Sequence, residues 1–142
     1  SNSLADEFFQ DVWLSLVKAR ERYTASAKFA TYLYRIAHNR LIDYYRSHGI
    51  QYETALPEDD EGDAWHGATA DGPEQIVAAR QQAVKVIDVI DNLPIEQREA
   101  FLLFEEGGLS VDEIAEATGT NKETAKSRLR YAFNKLRRAL EQ

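Results

Sequence analysis

The sequence predicts an all-α fold: two small helical domains joined by an acidic flexible linker, the C-terminal one a helix-turn-helix. Three observations predict it. Apolar residues recur at i, i+3 and i+4 through both ends of the chain, and nowhere alternate with period two for long. Between them lies "HGIQYETALPEDDEGDAWHGATADGP", His48 to Pro73, with four of the seven glycines, two of the three prolines and no sustained period. Near the end, two Ser/Thr-x-x-Glu sequences flank a glycine, the local chemistry of one helix stopping and another starting.

The elements follow in order. From Leu4 to about Arg22 one helix is expected, with apolar residues at Phe8, Val12 and Leu16 and at Phe9, Trp13, Leu16 and Val17, and with Phe9 and Trp13 taken as its core-facing stripe. Phe29, Leu33, Ile36 and Ala37 open a second, running to about Arg46. After the linker, Ile76, Val77, Ala83, Val84, Ile87 and Ile90 give a helix over 74–91. Pro94 suits the first turn of the next, which Gly107-Gly108 stops. Ser110-x-x-Glu113 and Thr120-x-x-Glu123 read as capping boxes on either side of Gly119. They bound a helix of about eight residues and a longer one whose inner stripe is Ala125, Leu129, Ala132, Leu136 and Leu140. The domain reading is therefore 1–48, linker 49–73, and 74–142.

Charge is unevenly placed. The 142 residues sum to −7, yet 53–74 hold eight Asp or Glu and no Lys or Arg, so the remainder is +1. Residues 18–48 carry seven basic and two acidic side chains, and 121–140 carry seven basic and one acidic. Two basic helical regions flanking an acidic connector suit a protein that touches a polyanion twice. With 44% hydrophobic and 11% aromatic residues the chain can build real cores. It has no cysteine, which excludes disulfides and thiolate metal sites, and a reducing cytoplasm is the expected location. No apolar run is long enough to insert in a membrane.

An enzyme, a metal and a cofactor are not expected. His38, His48 and His66 lack HExxH-like spacing, no P-loop is present, and Asp59-Asp60-Glu61 lacks the EF-hand pattern. His38 is expected to face solvent or DNA.

Two stretches carry binding chemistry. In the second helix Tyr32, Tyr34, Tyr44 and Tyr45 interleave with Lys28, Arg35, Arg40 and Arg46, beside Asn39. Rings that stack on unpaired bases and cations that follow phosphates give this pattern; tyrosines completing a small core under Arg stems give it too. In the last helix Lys126, Ser127, Arg130 and Tyr131 lie outside the apolar stripe, as a major-groove reader requires.

These residues resemble a known family. "FATYLYRIAHNRLIDYYRS" is similar to the promoter-melting segment in the second conserved region of bacterial extracytoplasmic-function (group four) RNA polymerase sigma factors. "DEFFQDVWLSL" resembles the polymerase-binding helix before it, and "LPIEQREAFLLFEEGGLSVDEIAEATGTNKETAKSRLRYAFNKLRRAL" their fourth region. The resemblance implies a subunit that binds core RNA polymerase, recognises −35 and −10 promoter DNA and melts it, commonly held inactive by an anti-sigma factor. It implies polymerase contacts from Asp6, Glu7, Gln10 and Asp11, and −10 contacts from Lys28, Tyr32, Arg35, Asn39, Arg40 and Arg46. It implies −35 contacts from Thr124, Lys126, Ser127, Arg128, Arg130 and Tyr131, with Thr124 and Arg128 on phosphates. Members have a further helix before Leu4, so a chain trimmed at its N-terminus is expected. Tyr32 stands where the family often has Trp, and Tyr131 where many members have Arg. The alternative is an operator-binding helix-turn-helix regulator that acts without polymerase. It accounts for Ser110 to Leu140 equally well and leaves the basic-aromatic first half unexplained.

Overall fold

The computed structural model describes residues 2–22, 28–52 and 83–141. Trp65, the acidic run and the expected helical residues 74–82 lie outside them. Six α-helices are described: α1 (Asn2–Lys18), α2 (Phe29–Ser47), α3 (Ala83–Asn92), α4 (Ile95–Glu105), α5 (Val111–Thr118) and α6 (Lys122–Leu140). None is long and apolar enough to cross a membrane.

In the first half α1 packs on α2. Two apolar stripes were available on α1, and the structure corrects the expected one. Val12 is buried, with Phe8 and Leu16 half-buried beside it, whereas Phe9 and Trp13 stand 68% and 54% exposed. The stripe one residue earlier is the one that meets α2. The end of α2 is a Schellman stop: Ile50 N–H donates to Tyr45 O at 2.8 Å and Gly49 takes φ +69°.

In the second half α3, α4 and α5 all pack on α6. The inner stripe of α6 is the predicted one through Ala125, Leu129, Ala132 and Leu136, all buried, while Leu140 at the fraying end is 38% exposed. Ala100, Leu103, Ile114, Ala115 and Ala117 close over its N-terminal half, Leu93 and Phe101 over its C-terminal half. Phe133 joins the two clusters, meeting Phe101 and Phe104 edge-on at 5.4 and 5.9 Å. The small side chains Ala115, Ala117 and Ala125 let α5 and α6 approach closely.

The halves also meet each other. α2 lies along α5, and Tyr34 packs against the cluster built on Leu103, Ile114 and Leu129.

Candidate nucleic-acid interface

The helix-turn-helix is set by local chemistry. Ser110 Oγ accepts from Glu113 N–H at 3.2 Å and Glu113 Oε1 accepts from Ser110 N–H at 2.9 Å, a complete capping box. The backbone N–H and hydroxyl of Ser110 hold the Glu113 carboxyl below its ordinary pKa, and Lys28 adds to this. α5 ends in a second Schellman stop, with Thr120 N–H on Ala115 O at 2.9 Å and Gly119 at φ +67°. At the start of α6 the expected Thr120/Glu123 box is replaced: Asn121 is the N-cap, its Oδ1 accepting from Thr124 N–H at 2.8 Å. Asn caps at least as well as Thr, and it stands one residue closer to the helix.

On α6, Lys126 is exposed, and Thr124, Ser127 and Arg130 are half-buried. Tyr131 is 5% exposed, so it belongs to the packed side of the helix and not outside its stripe. The Arg130 guanidinium lies over its ring at 5.1 Å, and the two form one cation–π unit. Arg128 is 3% exposed. It donates to the Tyr52 hydroxyl at 3.2 Å and lies over that ring at 5.3 Å.

On α2, Lys28, Thr31, Arg35 and His38 fall at spacings of three, four and three, one helical face. That face turns toward the second half. Lys28 Nζ lies 3.4 Å from Glu113 Oε2, and Thr31 Oγ1 donates to the same oxygen at 3.3 Å. Arg35 donates to the carbonyl of Glu116 near the C-terminus of α5, where the helix dipole is negative. His38 is buried, its Nδ1 2.8 Å from Glu99 Oε2, so it faces neither solvent nor DNA in this conformation. Tyr52 donates to the other Glu99 oxygen at 2.6 Å, and burial first, then the Glu99 charge, push its phenol well above the ordinary pKa. Away from this face, Asn39 and Arg46 are exposed and Tyr32 is half-buried, its hydroxyl donating to Ala19 O at 3.4 Å.

On α1, Asp6, Glu7 and Gln10 are exposed, while Asp11 is half-buried and accepts from Arg40 at 2.9 Å. The structure thus brings the three groups of expected contact residues onto three helices, α1, α2 and α6. It adds Tyr52 and Glu99, which sequence reasoning did not single out. Tyr52, an aromatic residue at the polar start of the connector, was the available signal; nothing in the sequence marks Glu99.

Comparison with known proteins matches residues 1–50 to the family model described as Sigma-70 region 2, and residues 83–141 to Sigma-70, region 4. The sigma factor SigZ of Bacillus subtilis is 30% identical over 139 residues, 98% of this chain and 74% of that protein. NccH of Alcaligenes xylosoxydans xylosoxydans is 29% identical over 136 residues, 96% and 73% of the two chains. The chain spans about half of SigD of Mycobacterium tuberculosis, at 31% identity. Among solved structures, the sigma factor RpoE of Bartonella quintana, crystallised with the anti-sigma factor NepR, superposes with a TM-score of 0.69 over 99% of this chain and 83% of that one. At 19% identity that likeness shows a shared fold.

Proposed function

The chain belongs to the sigma-70 family of RNA polymerase sigma factors, and from that premise we propose that it binds core RNA polymerase and directs promoter recognition and DNA melting at the start of transcription. The observation that carries the reading is the pairing of two family segments, in order, each contributing a helix with cations beside groups that can read bases. α2 offers Tyr32 for stacking and Asn39 for a base edge, with Lys28, Arg35, Arg40 and Arg46 for phosphates of the −10 strand. α6 offers its N-terminal turns to the −35 major groove, with Lys126, Ser127 and Arg130 as readers and Thr124 on the backbone. Arg130 is the sharpest of these, because a guanidinium bonds guanine at two points. Arg128 and Tyr131 join them only where the surroundings of α6 rearrange, since both are buried here.

Asp6, Glu7, Gln10 and Asp11 of α1 are assigned to the polymerase. The exposed Phe9 and Trp13 flank this set on the Asp6 and Gln10 side of the helix and add apolar area to that surface. The chain acts as a binding subunit and not as an enzyme, it works in the cytoplasm where the polymerase is, and an anti-sigma factor restrains it, as NepR partners the Bartonella relative.

Run-off transcription with purified core polymerase tests this. Core-dependent, promoter-specific transcripts are the expected result. Tight sequence-specific DNA binding with no transcript would replace the reading with an operator-binding regulator.

A further inference from the structure

Arg130 and Tyr131 are neighbours on α6, yet they sit in different surroundings. Tyr131 is buried, held on the packed side of the helix. Arg130 is half-buried and folds back, so that its guanidinium carbon lies 5.1 Å from the centre of the Tyr131 ring. At that distance the negative face of the ring attracts the cation. The Arg130 Nε–H is buried and has no hydrogen-bond partner among the described residues. A buried donor left unbonded is a cost that folding normally avoids, and the pull of the ring on the cation stands against it.

This arrangement narrows what Arg130 can do. A guanidinium can grip a base by the edge that Nε shares with a terminal nitrogen, or end-on by its terminal nitrogens together. Sealing Nε closes the side edge and leaves the end-on fork. An arginine free in solvent must give up rotamer freedom before it can grip a base; one laid on a fixed ring has already given it up. The nearby cations lack that support. Lys126 is exposed and carries a point charge, and Arg128 is turned to the Tyr52 hydroxyl.

We propose that Tyr131 is a positioning residue for −35 recognition: its ring face holds Arg130 so that the end-on fork is the edge presented to guanine. The proposal rests on the function proposed above and names what aims the sharpest reader of α6. In this role Tyr131 need touch no base, which agrees with its burial.

Holoenzyme assembled from the full chain and core polymerase is mixed with duplexes randomised across the −35 element, and the bound sequences are counted. The parent should favour guanine at one position about ten-fold. Arg130→Ala should abolish that preference and leave the other positions alone. Tyr131→Leu keeps an apolar group but removes the ring face, and should lower the guanine preference about five-fold at that position only. Tyr131→Phe, which retains the ring, should keep the preference. Tyr131→Phe with a trifluorinated ring keeps the shape while draining the negative face, so it should behave as Tyr131→Leu does, and it decides the matter where Tyr131→Leu fails to fold. In the Arg130→Ala background no change at position 131 should move the preference further. Full guanine preference in a folded Tyr131→Leu or trifluorinated variant overturns the proposal, as does a preference that survives Arg130→Ala. Equal loss at every position also overturns it, being the mark of a merely structural ring. The proposed function fails differently. A parent holoenzyme that enriches no sequence refutes that function, whereas a selective parent whose Arg130-dependent preference ignores the ring refutes the positioning alone.

Discussion

Arg40 of α2 donates to Asp11 of α1 at 2.9 Å, so a residue assigned to DNA and one assigned to polymerase hold each other in place. Both side chains are more than two-fifths exposed, and such a pair contributes at most about 1 kcal/mol. Asp11→Asn should therefore lower stability only slightly in a denaturant titration, yet weaken both core binding and −10 engagement. Gln10→Ala should weaken core binding alone. If Gln10→Ala leaves the affinity for core unchanged, the polar face of α1 is a solvated one.

Tyr32 separates a stacking ring from a structural one. Tyr32→Ala should impair opening of a duplex promoter by the loss of about 1–3 kcal/mol of base stacking, while Asn39→Ala, at an exposed position, should do so with stability intact. Initiation from duplex and pre-melted templates decides it. Equal loss on both would assign Tyr32 to its contact with Ala19 at the end of α1.

Along α6 the expected losses differ in kind. Arg130→Ala should relax sequence preference within the −35 element by about 1–3 kcal/mol of discrimination. Arg137→Ala, two turns further on and exposed, should weaken all sequences alike and flatten the salt dependence. Tyr131→Ala should cost about 3–5 kcal/mol of stability, since the ring is buried under Arg130, and Tyr131→Phe should restore most of it. A salt titration against matched and scrambled −35 duplexes, beside thermal melts, reads all three.

The capping box gives a pH signature. Ser110→Ala should destabilise the helix-turn-helix by about 1 kcal/mol. The Glu113 carboxyl is depressed below its ordinary 4.5 in the folded chain. Its contribution is accordingly complete above that value and is lost as pH falls through the depressed one. Melting temperature should drop below about pH 4.5 in the parent chain, and less steeply in Glu113→Gln. Parallel curves for the two would show that the carboxylate adds nothing to the cap.

What the sequence made legible was local. Ser110 with Glu113, and Gly119 between two helices, act within a few residues, and the structure keeps both. The choice of Asn121 over Thr120 was a contest between two good caps one position apart. On α1 two apolar stripes competed, and only packing against α2 decides for Val12 over Phe9 and Trp13. Arg128 looked like any cation of a basic helix because its partner, Tyr52, lies 76 positions away. The fold class and the family segments were therefore readable, while the state of side chains assigned to DNA, such as Arg128, depended on contacts between halves that periodicity does not encode.

The turn from Gly119 to Asn121 leaves three residues between α5 and α6, one in a left-handed conformation and one capping by its side chain. A single inserted residue in this non-helical turn would change the angle at which α6 leaves α5. Lys126 and Arg130, the readers proposed for the −35 element, would then be presented at a different angle to the rest of the second half. The corner's geometry asks only for a glycine at the left-handed position and a side-chain cap before α6. Its length, three residues, is what fixes the angle between α5 and α6.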